Sequence, residues 1–176
     1  MSRCAVKTAV LAALLLLNSS CRDSFQVFSN KYHVLFRCDI SMSPYTPVQT
    51  YGSFVSVRQS GNNLKVTDMN GTTTQLQMSQ VESAGISLGL GGLIIGIPSI
   101  GNTDGLIYAY DLACPVCDRA SARLSFDNLG IAECKSCNTV FDLNNNGFVI
   151  GSGSGGNHPL YRYPVSRSGS MVIVSN

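Results

Sequence analysis

Charge is what this sequence has least of. Asp, Glu, Lys and Arg make up 12% of its 176 residues, against 44% apolar residues. A chain with that balance folds into a globule and is not disordered, and its length suits one ordinary domain with its own core. There is no tryptophan, no sustained heptad pattern and no repeat at solenoid spacing. Long apolar runs are also missing. Thr8–Leu17 (TAVLAALLLL) is ten residues long, well short of the roughly 20 that a spanning helix needs. Residues 86–100 (ISLGLGGLIIGIPSI) are apolar but broken by Gly and Pro, which fits a buried strand plus loop. The sequence has no Ser-His-Asp order, no phosphate loop and no zinc-hydrolase motif, so nothing in it specifies an enzyme.

The N-terminus carries a targeting pattern. Arg3 and Lys7 precede the apolar core, and the small residues Ser19 and Ser20 precede Cys21, which reads as a secretory signal over residues 1–20. LLNSSC resembles the bacterial lipobox, although Asn18 stands where that pattern has a small or aliphatic residue. The resemblance implies that Cys21 is lipidated and holds a soluble domain to a membrane through acyl chains. Residues 21–31 then form a tether, and the protein belongs to the cell envelope, facing periplasm or cell surface. Losing the signal removes Arg3 and Lys7 from twelve basic residues, leaving ten against ten acidic ones. A neutral mature chain has no basic footprint for nucleic acid. The membrane is thus the expected partner, and a protein partner would have to be found by other means.

Beyond the tether, strand signals dominate. Residues 32–41 are rich in β-formers, and SPYTPVQT (43–50) reads as a connection. Residues 53–59, 64–69 and 72–78 form a three-strand meander with turn residues between them. A strand over 105–115 leads to a first Cys pair. A hairpin of 122–126 with 131–134 leads to a second. Another hairpin joins 139–143 to 148–151, the Gly-rich stretch 151–157 follows, and 160–175 closes with two short strands. Helix-period segments are scarce beyond the signal, so the expected class is all-β.

The chemistry is concentrated in CPVCDRASARLSFDNLGIAECKSC. Cys114, Cys117, Cys134 and Cys137 are spaced C-x2-C-x16-C-x2-C, within the range of two-knuckle tetrahedral metal sites. A knuckle favours a residue that tolerates a left-handed backbone just after its second Cys, and Asp118 and Asn138 stand there. Pro115 stiffens the first turn. The competing arrangement is two disulfides, which an exported protein permits.

From IYAYDLACPVC through ECKSCNTVFDLNNNGFVIGSGSGGNHPLYRYPV the chain resembles the Rieske iron–sulfur fold. The order of Phe141-Asp142-Leu143, Gly147, Gly151, Pro159-Leu160 and Tyr163 carries the likeness over roughly 105–175. The resemblance implies a Rieske-like domain over 32–175, an antiparallel β-sandwich or barrel base with a small two-loop, zinc-ribbon- or rubredoxin-like subdomain at about 112–150. The departures fall on the ligands. Val116 occupies the first His position, and Cys137 stands where the second His would be. A Rieske cluster takes its high potential from two imidazoles on one iron. Four thiolates instead suit a structural zinc ion, a lower-potential [2Fe-2S] cluster for electron transfer, or mononuclear iron. The signal has an isolated Arg3 and no twin-Arg pair, which favours zinc acquired after export.

Other residues carry weaker expectations. His158 lies in the Gly-rich stretch that covers the cluster in Rieske domains, either beside the centre or as an exposed loop residue. His33 is expected on a strand surface, and Cys38 is expected as a buried apolar residue of a strand. Asp111, Asp118, Glu133 and Asp142 form no acid–base spacing.

Overall fold

The computed structural model describes residues 28–151, 153 and 156–176. Residues 1–27, which hold the expected signal, Cys21 and most of the expected tether, lie outside the described residues. The described residues are all-β, with fourteen strands in three antiparallel sheets. The central sheet has six strands in the order β12-β7-β6-β2-β3-β4, formed by Arg162–Tyr163, Tyr108–Asp111, Leu93–Ile97, Ser53–Ser60, Asn63–Asp68 and Thr73–Gln77. A second sheet has the order β13-β14-β1-β5, formed by Val165–Ser168, Met171–Ser175, Val34–Asp39 and Ser87–Leu88. The third, the cysteine-bearing sheet, carries Cys134 at the end of one strand and has the order β11-β10-β9-β8, formed by Phe148–Gly151, Val140–Asp142, Ile131–Cys134 and Leu124–Phe126.

Strand alternation sorts side chains to the two faces of the central sheet. Val55 and Val57 of β2, Leu93, Ile95 and Ile97 of β6, and Ala109 of β7 face the second sheet. There they pack with Val34, Phe36, Val172 and Val174. Phe54, Ile94, Tyr108, Tyr110 and Leu112 face the other way and pack against Leu124, Ala132, Phe141, Leu143 and the cysteines. With both faces covered, all five residues of β6 are buried. That explains why its sequence is an unbroken apolar run without alternation. Gly96 pairs with Phe54 across β2 and β6, and a Cβ on Gly96 would run into the Phe54 ring.

Three details differ from the sequence reading. The closing segment contains three strands, not two, because Arg162–Tyr163 adds a short edge strand to β7. A short helix, α1 (Gln80–Ala84), follows the meander, started by a reciprocal capping box between Ser79 and Glu82. A five-residue helix with no buried residue has too little apolar periodicity to stand out. Finally, the described end of the tether does not hang free. The Ser29 N–H donates to the Arg162 carbonyl at 2.7 Å, and the Asn176 amide donates to the carbonyls of Ser29 and Tyr32.

Candidate metal centre

Each Cys pair sits at the end of a strand and turns back on itself in the same way. In the first knuckle the Asp118 N–H donates to the Cys114 carbonyl at 2.9 Å; in the second, the Asn138 N–H donates to the Cys134 carbonyl at 2.7 Å. Closing that turn puts Asp118 at φ 50° and Asn138 at φ 57°. Both lie in the left-handed region that the sequence assigned to these positions. Asp and Asn enter it more readily than other non-glycine residues.

The two knuckles bring all four Sγ atoms within 4.8 Å of one another. Cys114 Sγ lies 3.6 Å from Cys137 Sγ, and Cys117 Sγ lies 3.7 Å from Cys134 Sγ. A disulfide needs about 2.05 Å, so these are contacts between free thiols. Four sulfurs at about 2.3 Å from one tetrahedral ion would be about 3.8 Å apart. The set therefore fits one metal ion, zinc or iron.

The surroundings favour thiolates held by a cation. Cys114 and Cys134 are fully buried, Cys137 is nearly so, and Cys117 is half-buried. Burial pushes the Cys114 thiol well up, against hydrogen bonds from the backbone N–H groups of Cys117 and Val116. Burial, with hydrogen bonding to Cys137 and Cys134, raises Cys117 to about 11. At Cys137 burial acts in the same direction. The Thr139 hydroxyl at 3.2 Å, the Thr139 N–H and the neighbouring thiols outweigh it and bring the thiol down to about 7. Four sulfurs this close become thiolates together only when a cation shares their charge.

Two carboxylates hold the site in place. Asp111 is fully buried at the end of β7. Its carboxylate accepts from the N–H groups of Leu90, Gly91 and Ala113 and from the Tyr163 hydroxyl, all at 2.7–3.0 Å. Burial raises its pKa while the four donors pull the other way. The bond to Ala113 fixes the backbone one residue before Cys114. The close wrap of Gly89 and Gly91 around it leaves no room for a Cβ at either position.

Asp118 closes the first knuckle from outside. It accepts from Lys31 Nζ at 2.6 Å and from the hydroxyls of Tyr32 at 2.8 Å and Tyr161 at 2.9 Å. The Lys31 and Tyr hydrogen bonds hold its carboxyl down at about 2. Lys31 also lies over the Tyr32 and Tyr161 rings. The start of the domain and the chain after the Gly-rich stretch thus meet at the residue following Cys117.

The Gly-rich stretch reaches the second knuckle through Gly153, where a Cβ would collide with the Cys137 carbonyl. His158 is exposed and is not a member of the sulfur cluster. His33 is exposed just before β1, with its carbonyl accepting from Gly89 N–H and Ser87 Oγ. Cys38 is buried in β1, as expected. Glu133 is exposed, and Asp142 caps its own turn through Asn144 N–H. Asp111 and Asp118 are the residues that the sequence reading undervalued. A G-x-G-G run at 89–92 was the one local sign of a backbone wrapped tightly around something. Neither the protein-family models nor the curated proteins compared with this chain match it.

Proposed function

We infer that the chain is an exported, lipid-anchored envelope protein of Rieske-like architecture whose four cysteines hold one structural zinc ion. The observation that carries this reading is the mutual closeness of the sulfurs, 3.6 and 3.7 Å within the two cross-knuckle pairs and at most 4.8 Å overall. A binuclear iron–sulfur cluster has two irons with bridging sulfides between them, which would force the thiolate pairs to opposite ends. A single tetrahedral ion gathers all four. Zinc is redox-silent and closes its coordination with four thiolates, leaving no position for a substrate, so its contribution is to bind the two loops together. The metal then does for the small sheet what a larger apolar core would do. Membrane attachment rests on the Cys21 pattern.

Mononuclear iron fits the same geometry and would make the protein an electron carrier. Metal analysis and the visible spectrum of protein purified through its own export route separate the two. A colourless protein with one zinc per chain is expected, and a coloured iron protein overturns the structural reading. Non-reducing mass spectrometry after thiol alkylation should find no internal disulfide; two intact bridges without metal would overturn metal binding altogether. Lipidation is tested separately with Cys21→Ala, which should release the protein from membranes.

A further inference from the structure

The outer face of the central sheet is covered by the cysteine-bearing sheet only in part. Phe54 is buried beneath that sheet, but Ser56 and Arg58, farther along β2, face a groove of about 430 Å³. Its far wall is Arg123 to Phe126 along β8, and Leu112, whose carbonyl accepts from the Leu124 N–H, also lines it. An adjoining hollow of about 290 Å³ runs from Arg123 along residues 86–92.

Two arginines, Arg58 and Arg123, line this groove, and neither is in a salt bridge. The Arg123 Nε–H donates to the Gly91 carbonyl at 2.9 Å, which leaves its terminal nitrogens for the groove. The Arg58 side chain passes the neighbouring residue, Gly92, where an added Cβ would lie 3.2 Å from Arg58 Cγ. Lys65 stands directly across from Arg58 in the β2–β3 register, so both side chains project from the same face. Like charges in directly opposed positions are destabilising. Among the described residues the only ion pair is Lys31–Asp118, and neither arginine nor Lys65 has a carboxylate partner. Asp68 is the one carboxylate in the lining, and the N–H groups of Asn70 and Thr72 hold its Oδ1 to its own turn. Two arginines against one carboxylate leave the groove with a net positive charge.

We propose that this groove binds a small organic anion carrying a carboxylate or phosphate group. Arg58 and Arg123 take the oxyanion, and the half-buried Phe126 flanks the ligand's carbon body. Guanidinium forks bind both oxyanions in bidentate fashion, and a bound anion would relieve the repulsion between Arg58 and Lys65. The volume lies in the range of small-ligand sites. The site is separate from the sulfur cluster and does not depend on which metal is held there.

The test is calorimetric titration and ligand-observed NMR on the purified full chain at low ionic strength. The probes are succinate, citrate, glycerol 3-phosphate and inorganic phosphate, with glycerol as the neutral control. Saturable, salt-sensitive binding of at least one organic anion is expected, and the carboxylate and phosphate arms show which group is preferred. Arg58→Ala should weaken it about tenfold or more, the scale of a lost charge-assisted pair, with thermal stability not lowered, because Arg58 has no salt-bridge partner and its loss removes the charge opposed to Lys65. Arg58→Lys should restore part of the loss, since an ammonium keeps the charge but not the fork. The proposal is overturned by absence of saturable binding at millimolar concentration, by equal retention of every anion including inorganic phosphate, or by binding that survives both Arg58→Ala and Arg123→Ala.

Discussion

The central sheet is packed on both faces, but the two cores are built differently. The core toward the second sheet gathers twenty buried residues, nearly all aliphatic or aromatic. The core toward the cysteine-bearing sheet gathers fourteen, of which three are cysteines and five (Phe54, Ile94, Tyr108, Tyr110 and Leu112) are lent by the central sheet. The small sheet itself contributes little beyond Leu124, Ala132, Phe141 and Leu143. Apolar burial is worth about 25 cal/mol per Å², and a sheet this short has little area to bury. One core is held by area and the other by a metal-ready sulfur cluster set into a modest apolar patch.

Breaking the second core at its sulfurs should have the largest effect. Structural four-cysteine zinc sites contribute on the order of 10 kcal/mol of apparent binding free energy at neutral pH. Cys134→Ser, or removal of metal by a chelator, should abolish hydrogen-exchange protection across β8–β11 and expose Phe54 and Ile94 to a hydrophobic dye. Protection in β1, β2 and β14 should persist. Simultaneous loss of both regions would show that they form one cooperative unit.

Phe36→Ala attacks the other core. The side chain is 1% exposed, and such truncations cost about 3–5 kcal/mol. Denaturant unfolding should register that loss while metal affinity stays unchanged, the reverse of the cysteine variant's pattern.

Asp111→Asn probes the junction. Each carboxylate oxygen receives two donors, so whichever way an amide is turned, its NH₂ faces two N–H or O–H groups. A loss of about 1–3 kcal/mol is expected. It should appear both in thermal stability and as weaker metal binding, because Ala113 is held by the same carboxylate.

The smallest effect belongs outside both cores. Ser79→Ala removes the cap of α1 at a cost of about 1 kcal/mol of local helix stability, visible as faster exchange in residues 82–85 only. The Glu82 carboxyl is held below its ordinary 4.5 by the Ser79 N–H and hydroxyl. Its contribution is therefore complete above that value and fades as the pH falls through the lowered one, so the cap should loosen on acidification and not on alkalinisation.

What the sequence made legible follows from how local each signal is. The knuckles could be read because spacing, Pro115 and the left-handed positions Asp118 and Asn138 are neighbours in the chain. The meander and the hairpins could be read for the same reason. The two carboxylates could not. Asp118 meets Lys31 across 87 residues and Tyr161 across 43, and Asp111 meets Tyr163 across 52. No single-sequence pattern encodes pairings at those separations. The third closing strand was missed because two residues, Arg162 and Tyr163, count as a strand only through their partner β7.

The unequal exposure of the four sulfurs bears on how quickly a bound ion is exchanged. Cys114 and Cys134 are sealed in the core, and Cys137 is backed by Gly153. An incoming chelator or competing ion meets Cys117 first, on the side that Asp118 fastens to Lys31, Tyr32 and Tyr161. Release of an ion held here would therefore be one-sided, through opening of the first knuckle. Asp118→Ala should shorten the residence time of the ion while leaving the equilibrium preference for one metal over another where it was.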